Sequence, residues 1–343
     1  MRAAAARCAA ASTLASHAFM TLSPASSHVP RLRYRLTQED DLPECLALIP
    51  EWLALGPAVT AALPGLWVRM NRWPMVVNMV MEDLALPRGQ RIQAWGVGLL
   101  LGPAEVKLLQ LDGLPPPGVA RRTYEALLDG RLPELDDATL GRHNARGEIS
   151  GLSLHFCSRP LQFEHAASQA LITIANDSFR ASMCGYQLRA QYFENHAQTE
   201  PFMTTAGFQR RPRPPDQEAG GLQWWGMTRD EARAILPGTT VRALFDAHPP
   251  RFRLSLSQRR MLWMALFYED DEQLAQQLQL SSHGLKKLWR GVYERIQDGV
   301  PDFFGDDLGA DEEGKRGPEK RRQVLAYVRQ RPEELRPWNP GAP

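Results

Sequence analysis

The spacing of hydrophobic positions changes period several times along the chain, and those changes outline its elements. Residues 31–53 (RLRYRLTQEDDLPECLALIPEWL) read as a strand, an acidic helix entry and an amphipathic helix. Leu42, Leu46 and Ile49 recur at helical spacing, Asp40 and Asp41 suit the positive end of a helix, and Thr37 is placed to cap it. Short apolar runs alternate over 74–86; Gln90–Leu101 predicts a buried strand and Val106–Leu111 a second one. Pro115–Pro117 interrupt the chain, and Tyr124–Leu128 predicts a short helix. Over Glu148–Cys157, Leu152, Leu154 and Phe156 alternate with Ser153, His155 and Cys157, the period of a strand. Phe163–Tyr186 reads as a long helix and Ala190–Ala206 as another. Strands and helices interleave through 31–208, which predicts one mixed α/β domain.

Residues 209–223 open with QRRPRPPDQEAGG, the clearest linker in the chain. Thr228–Leu236 predicts a short helix, with Thr228 as cap and Asp230 and Glu231 in its first turn. Helices dominate from there to Ile296. Three of them fit 254–296. The first starts after Ser255 or Ser257 and buries Met261, Leu262, Ala265 and Leu266; the second starts at Asp270 or Asp271. A turn at Gln279-Leu280 leads to Ser281, the cap of the third. Residues 297–317 read as a flexible acidic linker and 318–338 as a terminal helix. The expected class is α+β: a mixed α/β domain over 31–208 and a helical, wingless helix-turn-helix domain over 224–296.

Composition adds bounds. The chain has 343 residues, 43% of them hydrophobic and 23% charged, which is ordinary globular material for two domains. Lys+Arg number 40 against 39 Asp+Glu, so whole-chain charge names no partner. No run of about 18 apolar residues is present, so no membrane partner is expected. Residues 1–30 are Ala/Ser-rich without an acid and read as a flexible tail, with Met20 as an alternative start. Cys8, Cys45, Cys157 and Cys184 form no CxxC pair, which fits a reduced, cytoplasmic chain. Neither a metal nor a cofactor is expected: His155, Cys157 and His165 are explained by a half-buried strand and its flank. Tyr192, Glu194 and His196 lie close in sequence and have the chemistry for acid–base work, against a plain reading as helix surface. Trp224-Trp225 read as docking the linker onto a domain, or as a stacking platform. Arg210, Arg211 and Arg213, like Arg251 and Arg253, read as solvated linker or as phosphate contacts.

The third helix of 254–296 places Leu285, Leu288, Trp289, Val292 and Ile296 on one side and His283, Lys286, Lys287, Arg290 and Glu294 on the other. A major groove admits such a helix. The whole of 254–296 resembles, without a gap, the LuxR-type helix-turn-helix of bacterial regulators. Leu254-Ser255, Met261-Leu262, Gln273-Leu274-Ala275, Gly284-Leu285-Lys286 and Val292-Tyr293 stand at its expected spacings. Gly284 stands where that family has Thr, and Tyr268 where it has Gly. The resemblance implies double-stranded DNA as partner, a homodimer, DNA contacts from His283, Lys286, Lys287 and Arg290, and support from Ser281, Leu285, Leu288, Val292 and Ile296.

The first domain lacks GxxxxGK[ST] and the paired acids of a receiver. Its RYRLTQEDDLPECLALIPE and its run to Phe202-Met203-Thr204-Thr205-Ala206-Gly207-Phe208 resemble edges of the Gcn5-related acetyltransferase fold. The acyl-CoA phosphate loop of that family, Arg/Gln-x-x-Gly-x-Gly/Ala, is missing. A PAS-like sensor of a small-molecule signal stays open. The leading expectation is therefore a DNA-binding transcription regulator without enzymatic activity. The alternatives are an acyltransferase-like enzyme with an appended helix-turn-helix, or a protein-interaction module.

Overall fold

A computed structural model describes residues 29–162, 164–213, 221–268, 270–305 and 317–341. Nearly all of the expected tail, the middle of the Pro-rich stretch and most of the acidic linker lie outside them.

The expected strand over 31–36 is β1 (Leu32–Leu36). The acidic entry forms a 3-10 turn at Glu39–Asp41 that leads into α1 (Leu42–Leu46). Asp41, rather than Thr37, closes this start: its carboxylate accepts from Gln38 N–H at 2.8 Å, while the Thr37 hydroxyl donates to Asn78 Oδ1 at 2.6 Å. Next come α2 (Pro57–Met70), β2 (Val76–Asp83) and β3 (Ile92–Leu101). Residues 106–111, expected as a strand, belong instead to helix α3 (Pro103–Leu109) and its exit. Gly102-Pro103 starts it, with the Glu105 carboxylate accepting from Gly102 N–H at 3.0 Å. Then follow α4 (Val119–Leu128), α5 (Asp137–Arg146), β4 (Ile149–Ser158) and α6 (Ala166–Met183).

The largest departure is 190–206. Its first half is β5 (Leu188–His196), and only Glu200–Thr205 is helical, as α7. Pairing on both edges, with β4 and with β7, and burial of every position from Ala190 to Glu194 outweighed a composition that looks helical. The expected linker is strand at both ends: β6 (Gln209–Arg211) and β7 (Leu222–Thr228) pair antiparallel. Trp224 and Trp225 are thus core strand residues, 1% and 2% exposed. After them run α8 (Arg229–Arg233), α9 (Thr240–Ala243), α10 (Leu256–Ala265), α11 (Asp271–Leu278), α12 (Ser282–Gly299) and α13 (Gly317–Gln330).

The seven strands form one mixed sheet in the order β1-β2-β3-β4-β5-β7-β6. Every neighbouring pair is antiparallel except β4–β5, which is parallel and crosses over through α6. Two apolar layers cover the sheet. On one face α2 and α4 bury Trp67, Trp95 and Tyr124 among Leu63, Leu66 and Leu99. On the other α6 packs over Met79, Met81 and Ala94. A fully buried aromatic of this kind contributes roughly 2–3 kcal/mol.

The sheet body's core reaches Val241, Leu244 and Phe245, and a second apolar cluster begins at Phe252 and is built from α10–α13. The change from sheet to helices therefore falls after β7, not at 209–223. From Arg31 onward the chain is one compact unit. Arg259 forms a two-pronged ion pair with Asp137 at 2.6 and 2.7 Å. Buried Arg336 donates to Cys184 O at 2.9 Å and to Ala181 O, with its guanidinium between the rings of Tyr186 and Trp263.

Candidate active site

The parallel pair at the middle of the sheet does not stay closed. β4 and β5 pair from Ile149↔Leu188 to Ser153↔Phe193 and then part. Just there β4 carries a bulge: Val97 faces His155 while Gly98 faces Ser153, leaving Leu154 as the extra residue. A bulge bends its strand and raises its twist, which aims the rest of β4 away from β5. The parting lies at the carboxyl ends of the two parallel strands, the side on which open sheets with parallel strands take ligands. Among the described residues, the facing edges beyond Ser153 and Phe193 have no strand partner.

An apolar cavity of about 150 Å³ occupies the opening. Phe156, Phe179, Phe193, Phe202, Phe208, Met79, Met81, Met183 and Met203 supply most of its wall. Ser153, Asn176, Asn195 and Thr199 add polar groups, and Trp52 and His155 line it from the opposite face of the sheet. Ring contacts Phe179–Phe193 at 5.6 Å and Phe193–Phe208 at 4.5 Å tie α6, β5 and the end of α7 into that wall. A second cavity, about 380 Å³, lies at the polar seam of β1 and α10, between Thr37, Asn71, Arg260 and Tyr268.

Beneath the opening is a buried polar chain. Trp67 Nε1 donates to the Tyr124 hydroxyl at 3.2 Å, and that hydroxyl meets His155 Nε2 at 2.8 Å. With the oxygen already accepting from Trp67, the Tyr124 proton goes to Nε2; His155 then keeps its own proton on Nδ1, facing Cys157 Sγ at 3.4 Å. Burial lowers the His155 pKa to about 3, so the imidazole is neutral at physiological pH. Burial likewise pushes the Cys157 thiol up to about 12, so it is no ready nucleophile. His155 and Cys157 meet as neighbours on one strand, and His165 precedes α6 at its N-cap position without a capping side-chain bond; among the described residues no metal-holding cluster forms.

Tyr192, Glu194 and His196 are brought onto one face, but by a strand and not a helix. Tyr192 stacks on Trp224 at 5.5 Å and donates to Asp112 at 2.8 Å; His196 meets Trp52 at 6.3 Å. Glu194 is fully engaged by Arg213 and by the start of α4. Sequence reading found these three and His155, yet missed Tyr124, Trp52, Asn195 and the pairing of Glu194 with Arg213. The period-two pattern in Leu188, Ala190 and Tyr192 was the available signal.

The residues expected to read DNA sit elsewhere. Ser281 accepts from Gly284 N–H at 3.1 Å and caps α12; Leu285, Val292 and Ile296 are buried and Leu288 is half-buried. His283, Lys286, Lys287 and Arg290 are exposed on the other side of that helix.

No family model and no curated protein matches the chain. Among solved structures, a mutant of the spermidine N-acetyltransferase SpeG of Vibrio cholerae is 11% identical, covering 59% of this chain and 95% of that one at a TM-score of 0.34. FeeM, an N-acyl amino acid synthase from uncultured soil microbes, is 8% identical, covering 60% and 96% at 0.33. A mosquito arylalkylamine N-acetyltransferase-like 5b is 11% identical, covering 57% and 99% at 0.35. Likenesses this distant assign nothing by themselves; what this chain contributes is its own strand order and the parted β4–β5 pair. Two expectations are nonetheless corrected. The structures named are acyl-transferring enzymes, and neither the expected regulator nor the expected non-enzyme finds a counterpart among them. The physical reason for the misreading is plain. Three amphipathic helices packed on one another produce the same apolar spacing whatever their outer face meets, and a cationic outer face is commonly only solvated. Among the described residues, no helix is long and apolar enough to cross a membrane.

Proposed function

We propose that this chain is an acyltransferase-like enzyme whose β4–β5 opening takes the thioester-bearing arm of an acyl donor. One observation carries the reading: a parallel strand pair parts at its carboxyl ends over an apolar cavity. The two free strand edges offer backbone N–H and C=O groups to an extended, amide-bearing arm, as an added strand would use them. The phenylalanines and methionines of the wall suit the acyl group. In the reaction an amine or similar nucleophile attacks the thioester carbonyl, the C–S bond breaks and the thiol leaves with a proton. The neutral Tyr124–His155 pair is a positioning group below the opening, because its protons are already committed to internal partners. The polar groups of Ser153, Asn195 and Thr199 face the cavity itself.

The stretch Ser158–His165 contains no glycine, so close backbone approach to a pyrophosphate has no support there. The donor is therefore recognised through its arm and acyl group more than through a nucleotide. The test is thiol release from an acyl-N-acetylcysteamine and from the matching acyl-CoA, with a panel of amines. Amine-dependent release from both, at rates within about tenfold, is expected; the absence of thiol release from either donor sinks the reading.

A further inference from the structure

Part of the cavity in the β4–β5 opening exists because one side chain is missing. Gly96 on β3 pairs with Met79 of β2 and Phe156 of β4, and residues directly opposite one another in a sheet share a face. All three line the cavity, on the face where α6 packs over Met79. Glycine weakens the interior of a strand and often marks a place where something comes close to the backbone. At Gly98, two residues on, that something is protein: an added Cβ would stand 3.0 Å from Met183 Cε and 3.3 Å from Leu152 O. At Gly96 it is not. Among the described residues, a Cβ there would meet one atom within 4 Å, Cδ2 of Phe156 at 3.7 Å, an ordinary contact. Close packing around β3 therefore accounts for Gly98 and leaves Gly96 facing open space.

The space has a mouth and closed inner walls. Phe156 and Phe202 are 40% and 41% exposed and mark the mouth. Met79, Met183 and Met203 are buried and close the interior, with the Met183 methyl over Gly98. Folded interiors leave few voids larger than a water molecule. An apolar void of about 150 Å³ has room for a molecule of about six carbons. The geometry points to an apolar acyl group of about six carbons, rather than acetyl, as the occupant, with Gly96 as the residue that sets this size. Acetyl would leave most of the space empty, whereas a hexanoyl chain fills it. Unbranched, polarizable methionine side chains adapt to such a chain. This assignment rests on the acyl-transfer reading and adds to it the size class of the group transferred.

Thiol release is measured from acetyl-, butanoyl-, hexanoyl- and dodecanoyl-N-acetylcysteamine with one amine, for the full chain and for Gly96→Ala and Gly96→Leu. Each methylene moved from water into apolar surroundings is worth about fourfold, so hexanoyl is expected to exceed acetyl in kcat/KM by at least about thirtyfold. Dodecanoyl, too long for the space, should fall about tenfold below hexanoyl. The hexanoyl-to-acetyl ratio should drop about fourfold in Gly96→Ala and to about one in Gly96→Leu. Gly96→Ala adds a methyl at ordinary contact distance, so it keeps the test decisive if the leucine variant fails to fold. Independently of turnover, benzene is expected to raise the melting temperature of the wild type saturably, that of Gly96→Ala less and that of Gly96→Leu not at all. Hexanoyl turned over no better than acetyl, or a ratio unchanged in both variants, overturns the assignment. Benzene binding that Gly96→Leu removes, with no thiol released from any donor, supports the six-carbon cavity but overturns the acyl-transfer reading, and with it the acyl chain as occupant. No benzene effect together with no thiol release overturns both.

Discussion

Replacing Arg336 by Ala should cost about 3 kcal/mol of stability and act first on the joint between α6 and the helical cluster. The side chain is 5% exposed and makes two charged hydrogen bonds to the carbonyls of Ala181 and Cys184, at the end of α6. Bonds of this kind contribute about 1.5–3 kcal/mol each. Its guanidinium also lies 4.9 Å from the Tyr186 ring centre and 5.1 Å from that of Trp263, worth about 0.5–2 kcal/mol. The sum is an upper bound, because water enters the vacated space and satisfies the carbonyls in part. Trp263 belongs to α10 and Tyr186 follows α6, so the same side chain joins the two apolar clusters. Urea unfolding followed by far-UV circular dichroism gives the stability, and amide exchange at 181–186 gives the location. Arg336→Lys should recover less than half of the loss, since an ammonium cannot serve two carbonyls and two rings from one plane. A loss below about 1 kcal/mol for Arg336→Ala, with exchange unchanged, would refute the account.

Other consequences are equally open to measurement. Glu231 is held by Arg211 and then by the Thr228 backbone, which lowers its pKa to about 2. A lowered carboxylate pKa adds stability above the unfolded value and loses it as pH falls toward about 2; Glu231→Gln should therefore lose about 1–2 kcal/mol at pH 7, after allowance for partial exposure, and little in acid. The His155 ring should show the nuclear magnetic resonance shifts of a neutral imidazole from about pH 8 down to about pH 5, because burial has moved its titration to about 3. A midpoint near the ordinary value of about 6.5 would contradict its burial. Tyr124→Phe leaves Trp67 Nε1 and His155 Nε2 without partners and should cost about 2–4 kcal/mol by urea unfolding. Gly185→Ala should destabilise by more than about 2 kcal/mol: its φ is +89° and an added Cβ would stand 2.5 Å from Glu333 N.

Most of the architecture was legible in the chain, and the failures have identifiable causes. Helix starts were narrowed to Ser255 or Ser257, Asp270 or Asp271, and Ser281, because a capping side chain marks its own position; Ser255, Asp270 and Ser281 are the caps. The strands at 92–101 and 149–158 were readable from apolar content and alternation. Residues 106–111 misled because a short apolar run fits a strand or a buried helix equally, and Gly102-Pro103 decided it. Residues 188–196 misled more seriously. The strand is buried on both faces, so it lacks a polar face to mark its period, and Gln191, Glu194 and Asn195 add polar groups to its middle. The active-site candidate was hidden for the same reason: it is made by the loss of strand pairing, which no local pattern encodes. The LuxR-type spacing in 254–296 was real as packing information and mistaken as function.

The chain between β3 and β4, residues 102–148, is an excursion where neighbouring antiparallel strands need only a tight turn. It supplies Tyr124 below the opening and the Gly118 and Val119 amides that hold Glu194. It also buries Val106, Leu111, Tyr124 and Leu140 in the core that covers the sheet, so it is part of the frame and not an appendage to it. A change in this one segment therefore reaches the partners of Glu194 and of His155 together, although the two lie on different strands.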